Sequence, residues 1–348
     1  MPAGTPVKTD IVAHCPAKCF ASQETGCDAG PSVLFNPGIC KRGDTMKAYR
    51  MLARASIPLM FCAVPFAFPL ARAADHPSLL ATPKADARAS MESMQIPSHG
   101  SSVNGLVYVA AGAGPHPVVI LLHGFPGNER NLDLAQDIRR AGWDVLYFNY
   151  RGSWGSPGDF SFAHGIEDVA SAVAYLRAPA NAARLRVDPS RIVLVGHSMG
   201  GFMAVQAAAA DPAIKAVAMI SGADMAGAFQ HIQAQAPAAD AVHDMAAALA
   251  KEGMAPLSGC TPESLAAELS DHAAEWVFPA KAAAVKDRPI FIMSSDDGLA
   301  PANEAFARAL VQAGDRKVTT RHLPTDHAYS DQRTELSRDV LKWLATLK

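Results

Sequence analysis

Gly196-His197-Ser198-Met199-Gly200 places one serine at the G-x-S-x-G spacing, between an aliphatic run and an Ala-rich one. Ile192 to Val195 reads as a strand buried on both faces, and the Ala-rich stretch ending at Ala210 reads as a helix. A strand-to-helix turn this tight needs glycine on both flanks, because a Cβ there collides with neighbouring backbone. It pushes the serine out in a strained conformation, with a helix N-terminus beneath it. Free N–H groups and a partial positive charge at that terminus favour an anion forming at the serine. The chemistry that fits is nucleophilic attack on a carbonyl.

A serine hydroxyl is a poor nucleophile at neutral pH. It needs a base within hydrogen-bond reach and an acid that holds the base in one tautomer. After an elbow of this kind the expected order is Ser, then Asp or Glu, then His, each on a loop that follows a strand. Phe291-Ile292-Met293-Ser294-Ser295-Asp296-Asp297-Gly298 reads as a strand running into an acidic turn, which leaves Asp296 and Asp297 as the acids available. His322-Leu323-Pro324-Thr325-Asp326-His327 follows, ahead of a closing helix from Arg333 to Leu347. His322 falls within the last strand and His327 in the loop beyond it, so His327 is the expected base. A histidine base predicts activity that falls at acid pH.

With these residues in this order the chain resembles the α/β-hydrolase superfamily over nearly all of Val118 to Lys348. In that superfamily the acid commonly stands four residues before a proline, as in Asp297-Gly298-Leu299-Ala300-Pro301, which implies Asp297 as the acid and Asp296 as its neighbour. The resemblance also implies an oxyanion hole made by the backbone N–H of Met199 and that of Phe125 in His123-Gly124-Phe125-Pro126-Gly127. Donors of this kind contribute roughly 3 to 4 kcal/mol each. His123 is expected to orient the loop without moving a proton. Tyr150-Arg151-Gly152-Ser153-Trp154-Gly155, Asp168-Val169 and Val187-Asp188-Pro189-Ser190-Arg191 look most similar to the catalytic domain of the prolyl oligopeptidase family, here without a propeller. Trp154 and His197 are the expected substrate-binding side chains. Dienelactone hydrolases are also similar, but they would carry cysteine at position 198.

The elements that must position these residues follow from hydrophobic patterning. A hairpin is expected from Met91–Ile96 and Leu106–Ala110, with its turn across residues 99–105. Continuous apolar runs then alternate with helix-length segments: strands at 118–122, 145–149, 216–220, 290–293 and 318–323, and helices near 132–141 and 165–176. That alternation implies an α/β fold, a mostly parallel central sheet with helices on both faces. Residues 222–288, with helices over 238–251 and 262–274, interrupt the pattern and read as a helical lid or cap inserted over the strand ends. Trp276 and Phe278 within it read as core.

The N-terminal part reads differently. From Met46 a basic head, the apolar run Ile57 to Leu70 and Ala71-Arg72-Ala73 form a signal peptide over 46–73, with cleavage expected after Ala73. Residues 1–45 are then an upstream extension or leader, 74–90 a flexible lead-in, and 91–348 the hydrolase domain. Five of the six cysteines precede that cut, leaving Cys260 and no internal disulfide. Removing the leader's eight Lys or Arg and four Asp or Glu from the chain's 31 and 33 leaves a formal net charge of −6. Without a basic patch, a nucleic-acid partner is not expected. Nor are a metal, a cofactor or a stable membrane span in the mature chain. The expected activity is a periplasmic or secreted serine hydrolase acting on a small ester. The alternatives are a peptidase of the prolyl oligopeptidase type acting on short peptides or aminoacyl amides, and a non-catalytic binding protein on the same fold.

Overall fold

A computed structural model describes residues 88–347. The expected signal peptide, the upstream extension and five of the six cysteines lie outside those residues.

The chain enters through β1 (Ser90–Ser98) and β2 (Ser101–Val109), which pair antiparallel with Ser98 opposite Ser101. The turn is therefore only His99-Gly100, both in the left-handed region at φ 46° and 82°, as a two-residue hairpin turn requires. This is shorter than the turn expected across residues 99–105. Polar as it is, Ser101 to Gly105 belongs to β2, because Val103 is turned fully into the core while its neighbours stay partly solvated.

The alternating part begins with β3 (His116–Leu122), α1 (Leu132–Arg140), β4 (Asp144–Phe148) and α2 (Phe162–Arg177). It continues through α3 (Pro179–Leu185), β5 (Val187–His197), α4 (Met199–Ala210) and β6 (Ala216–Ile220). The patterning did not indicate α3, a seven-residue helix with Pro179 in its first turn that closes on a left-handed Arg186. The insertion supplies α5 (Met225–Gln233), α6 (Ala238–Lys251), α7 (Pro262–Asp271) and α8 (Phe278–Val285). The chain ends with β7 (Ile290–Ser294), α9 (Ala300–Gln312), β8 (Val318–His322) and α10 (Arg333–Ala345).

The eight strands form one sheet in the order β1-β2-β4-β3-β5-β6-β7-β8. The pairings from β4 through β8 are all parallel. Alternation within β3 shows how both faces are covered. Val118, Ile120 and Leu122 enter one core with Val169 and Val173 of α2, Phe202 of α4 and Phe306 of α9. Val119 and Leu121 enter the other with Leu134 and Ile138 of α1 and Leu336 and Val340 of α10. Strands buried on both faces carry no polar alternation, which is why the runs in the sequence are continuous.

The insertion buries Phe229, Met245, Leu249, Leu265, Leu269 and Trp276 in the same core as α2 and α4, and Phe278 is fully buried there too. Glu268 of α7 accepts the N–H groups of Phe162 and Ala163 at the start of α2, each at 2.8 Å, a carboxylate placed where a helix N-terminus favours it. Among the described residues no helix is long and apolar enough to cross a membrane.

Candidate active site

Six strand ends meet at one end of the sheet, where ligands bind in open α/β sheets. Ser198 follows β5 at φ 56° and ψ −125°, a conformation that costs a residue with a Cβ about 1–3 kcal/mol. Its N–H donates to Ile220 O of β6 at 2.9 Å, and its carbonyl accepts from Ala223 N at 3.0 Å. The flanking glycines are sterically required. A Cβ on Gly196 would stand 2.0 Å from Gly200 O, and one on Gly200 would stand 2.1 Å from Leu122 O.

Asp297 and His327 are brought together by the loops after β7 and β8. His327 Nδ1 lies 2.7 Å from Asp297 Oδ2, and Asp297 Oδ1 also accepts from Leu299 N at 3.0 Å. Burial works to raise the Asp297 carboxyl, but hydrogen bonds from His327, Leu299 N–H, Ser221 and Ser295 outweigh it and hold the group well below the usual carboxylate range. The acid is 4% exposed and the imidazole 42% exposed, so a buried anion meets an imidazole open to solvent. With Nδ1 committed to Asp297, Nε2 is the nitrogen left for proton transfer. No hydrogen bond joins it to Ser198 Oγ, and catalytic bonds of this kind tighten when substrate binds. His322, the other histidine of this region, lies 3.0 Å from Asp296 Oδ1 on the exposed side. Two His–Asp pairs therefore stand in parallel, and the 327–297 pair is the one with the buried acid.

The loop after β3 presses against Ser198. A Cβ on Gly124 would lie 2.9 Å from Ser198 Cβ and 3.3 Å from its Oγ. Met199 is the first residue of α4 and has no intrahelical acceptor for its N–H. Neither that N–H nor that of Phe125 is bonded to another described residue. His123 is buried beneath the loop, with Nδ1 2.8 Å from Gly124 O and its ring against Tyr150. Burial pushes its pKa down to about 4, so it stays neutral and braces the loop.

Trp154 and His197 also sit in the supporting frame. Trp154, half-buried at φ 48°, donates from Nε1 to Pro126 O at 2.8 Å and carries the Arg130 guanidinium 4.2 Å above its ring. Its own segment is fixed by Asp168, which accepts from Arg151 N and Nε at 2.7 Å each, and by its N–H on Pro256 O of the insertion at 2.9 Å. His197 is 3% exposed and lies under His327 rather than at the surface. The patterning did not single out Ser221, Ser295 and Tyr329, which cluster behind Asp297. The only local trace is a small polar residue at the end of each of two apolar strands. Among the described residues no group of three or more His, Cys, Asp or Glu is placed to hold a metal ion.

Residues 117–263 match the family model described as alpha/beta hydrolase fold. An uncharacterized protein of Mycobacterium tuberculosis is 31% identical over 114 residues, 32% of this chain and 39% of that protein, so the chain spans about two fifths of the relative's length. A fungal esterase structure from Rhizomucor miehei superposes with a TM-score of 0.55 at 20% identity, covering 75% of this chain and 84% of that one. A thermostable carboxyl esterase from Bacillus coagulans superposes with a TM-score of 0.56 at 16% identity, covering 74% and 99%. The finer resemblance to the prolyl oligopeptidase-type catalytic domain is not shown by these similarities. Sheet order, elbow and family match agree on the architecture: the chain has the alpha/beta hydrolase fold.

Proposed function

We propose that this protein is a serine hydrolase that cleaves carboxylic esters. The observation that carries the reading is the 2.7 Å bond from His327 to buried Asp297, held at the sheet end where Ser198 sits strained on its elbow. Ser198 Oγ attacks the ester carbonyl as His327 Nε2 takes its proton. The oxyanion forms against the N–H groups of Phe125 and Met199, and His327 returns the proton to the departing alcohol. Water then enters by the same route in reverse and frees Ser198 from the acyl group. The esterases with this fold support an ester as the substrate. Within the proposal, the signal over 46–73 exports the enzyme.

Labelling with a fluorophosphonate probe tests the nucleophile. Labelling of the unmodified protein that is lost in Ser198→Ala is the expected result, and an unlabelled native protein overturns the reading in favour of a binding role. Short p-nitrophenyl esters should turn over faster than aminoacyl amides, and the reverse order would make the enzyme a peptidase.

A further inference from the structure

Three hydroxyls converge behind the acid from three separate strand ends. Ser221 follows β6, Ser295 follows β7, and Tyr329 lies in the loop after β8, and all three are 0% exposed. Ser221 Oγ lies 2.9 Å from Ser295 Oγ and 2.9 Å from Tyr329 OH. The cluster lies directly behind Asp297, and both serines help to hold its carboxyl in the charged form. Packing alone does not require these oxygens. The Tyr329 ring stands in the apolar core with Leu336 and Val340, where phenylalanine would fill nearly the same space, and a buried hydroxyl is costly unless it is bonded.

The backbone points the same way. Ser221 and Tyr329 both hold positive φ, 44° and 57°, and for a residue as bulky as tyrosine that is a true outlier. Strain of this kind persists where the surroundings over-determine it, and it collects at functional sites. Here the two strained residues are the two whose side chains meet. Their hydroxyls form a chain ending on an anion, and such chains polarise toward the charge.

We propose that Ser221, Ser295 and Tyr329 are positioning residues that keep the Asp297 carboxylate charged and aimed at His327, and so set the proton affinity of the base. This rests on the assignment of Ser198 and His327 above. Hydroxyls donating to the carboxylate disperse its charge. Without them the charge concentrates toward Oδ2, the pairing with a protonated His327 strengthens, and the imidazole holds its proton to higher pH. The other groups facing His327 are the His197 ring at 4.6 Å and Arg333, which bonds Ala328 O at 3.0 Å. Neither is touched by changes at the hydroxyls.

The test is an NMR titration of the His327 Cε1 proton, assigned by its loss in His327→Gln, in the unmodified protein, Tyr329→Phe and Ser295→Ala. The midpoint should rise by about half a pH unit in each variant. In parallel, kcat should fall about tenfold with KM changed less than about twofold. Ser295→Ala removes a single oxygen and keeps the test available if Tyr329→Phe fails to fold. A midpoint unchanged or lowered in the folded variants overturns the proposal. The titration needs no turnover, so an unmodified protein without Ser198-dependent activity would sink the hydrolase reading alone, while intact activity with an unmoved midpoint would sink this one alone.

Discussion

His197 Nε2 lies 2.8 Å from the backbone carbonyl of His327, and the two rings are 4.6 Å apart. The residue before Ser198 thus holds the loop that carries His327. Burial first, and then the charge of His327, push the His197 pKa down to about 4. The ring is therefore neutral near pH 7 and donates from Nε2. Its buried Nδ1 has no partner, so nothing nearby would stabilise a second proton. Among the described residues, His197→Ala removes the one side-chain hydrogen bond between the elbow and the loop carrying His327. We expect kcat to fall about 10- to 100-fold with KM little changed, the size of effect that a small misplacement of a catalytic group produces. Steady-state kinetics on a short ester check this, and wild-type kcat in the variant would show that the loop is held by other means.

Adjacent acids make a sharp discrimination possible. Asp297 is buried against Nδ1 of the proposed base, whereas Asp296 is 64% exposed and paired with His322, itself 47% exposed. Asp297→Asn leaves the shape and loses the charge that fixes the tautomer of His327, so kcat should drop about 10⁴-fold. Asp296→Asn breaks a solvent-screened pair and should leave kcat within about threefold. Equal losses in the two variants would reverse the assignment or divide it between them.

Why the pairing of Asp297 with His327 could be anticipated from sequence, and the residues around it could not, is a matter of range. Gly196 and Gly200 are demanded by atoms about four residues away or in the adjacent strand, and the need for small residues leaves a fixed spacing. Strands buried on both faces likewise write themselves as unbroken apolar runs. The hydroxyl contact between Ser221 and Tyr329 spans 108 residues, and nothing near either residue announces it. The same holds for Trp154 and Pro126, where an indole that reads as a ligand contact also braces the loop after β3. Ser101 to Gly105 is polar enough to read as a loop, and only the burial of Val103 against the core makes it strand. α3 escaped because seven residues with little apolar periodicity leave no helical signature.

Gly124 is the position where one methyl group should separate activity from stability. A Cβ there would stand 2.9 Å from Ser198 Cβ and 3.3 Å from Oγ, closer than Cβ atoms come, so the loop carrying Phe125 or the Ser198 turn must shift. Gly124→Ala should therefore fold, at a cost of about 1–3 kcal/mol, and lose about 10²-fold or more in kcat as the oxyanion donor moves. Gly196→Ala is the contrasting case. Its Cβ would fall 2.0 Å from Gly200 O, a clash with backbone that the turn cannot absorb, and soluble folded protein is not expected. Thermal unfolding and kinetics on Gly124→Ala decide the first point, and full activity would mean that the loop does not supply the oxyanion donor.

At the opposite end of the sheet, Asp144 opens β4 with a fully buried side chain. Oδ1 accepts from Ala110 N at 2.7 Å and lies 3.1 Å from His116 Nδ1, while Oδ2 has no partner. Burial pushes this carboxyl up to about 7, against the pull of the Ala110 N–H and the Arg186 charge. Burial and the Arg186 charge also lower the His116 pKa, against any charge at that ring. An acid whose folded pKa is raised contributes stability that is complete below its unfolded value of 3.8 and is lost as pH climbs toward about 7. Asn at this position keeps the acceptor for Ala110 and has no charge to bury. Asp144→Asn should therefore gain on the native protein by roughly 2–4 kcal/mol between about pH 4 and about pH 8. Urea unfolding at both ends of that range measures the difference. Since the site lies at the far ends of the strands, kcat should not change. A stability difference that is the same at both pH values would mean that Asp144 is already ionised throughout, with its charge met by His116.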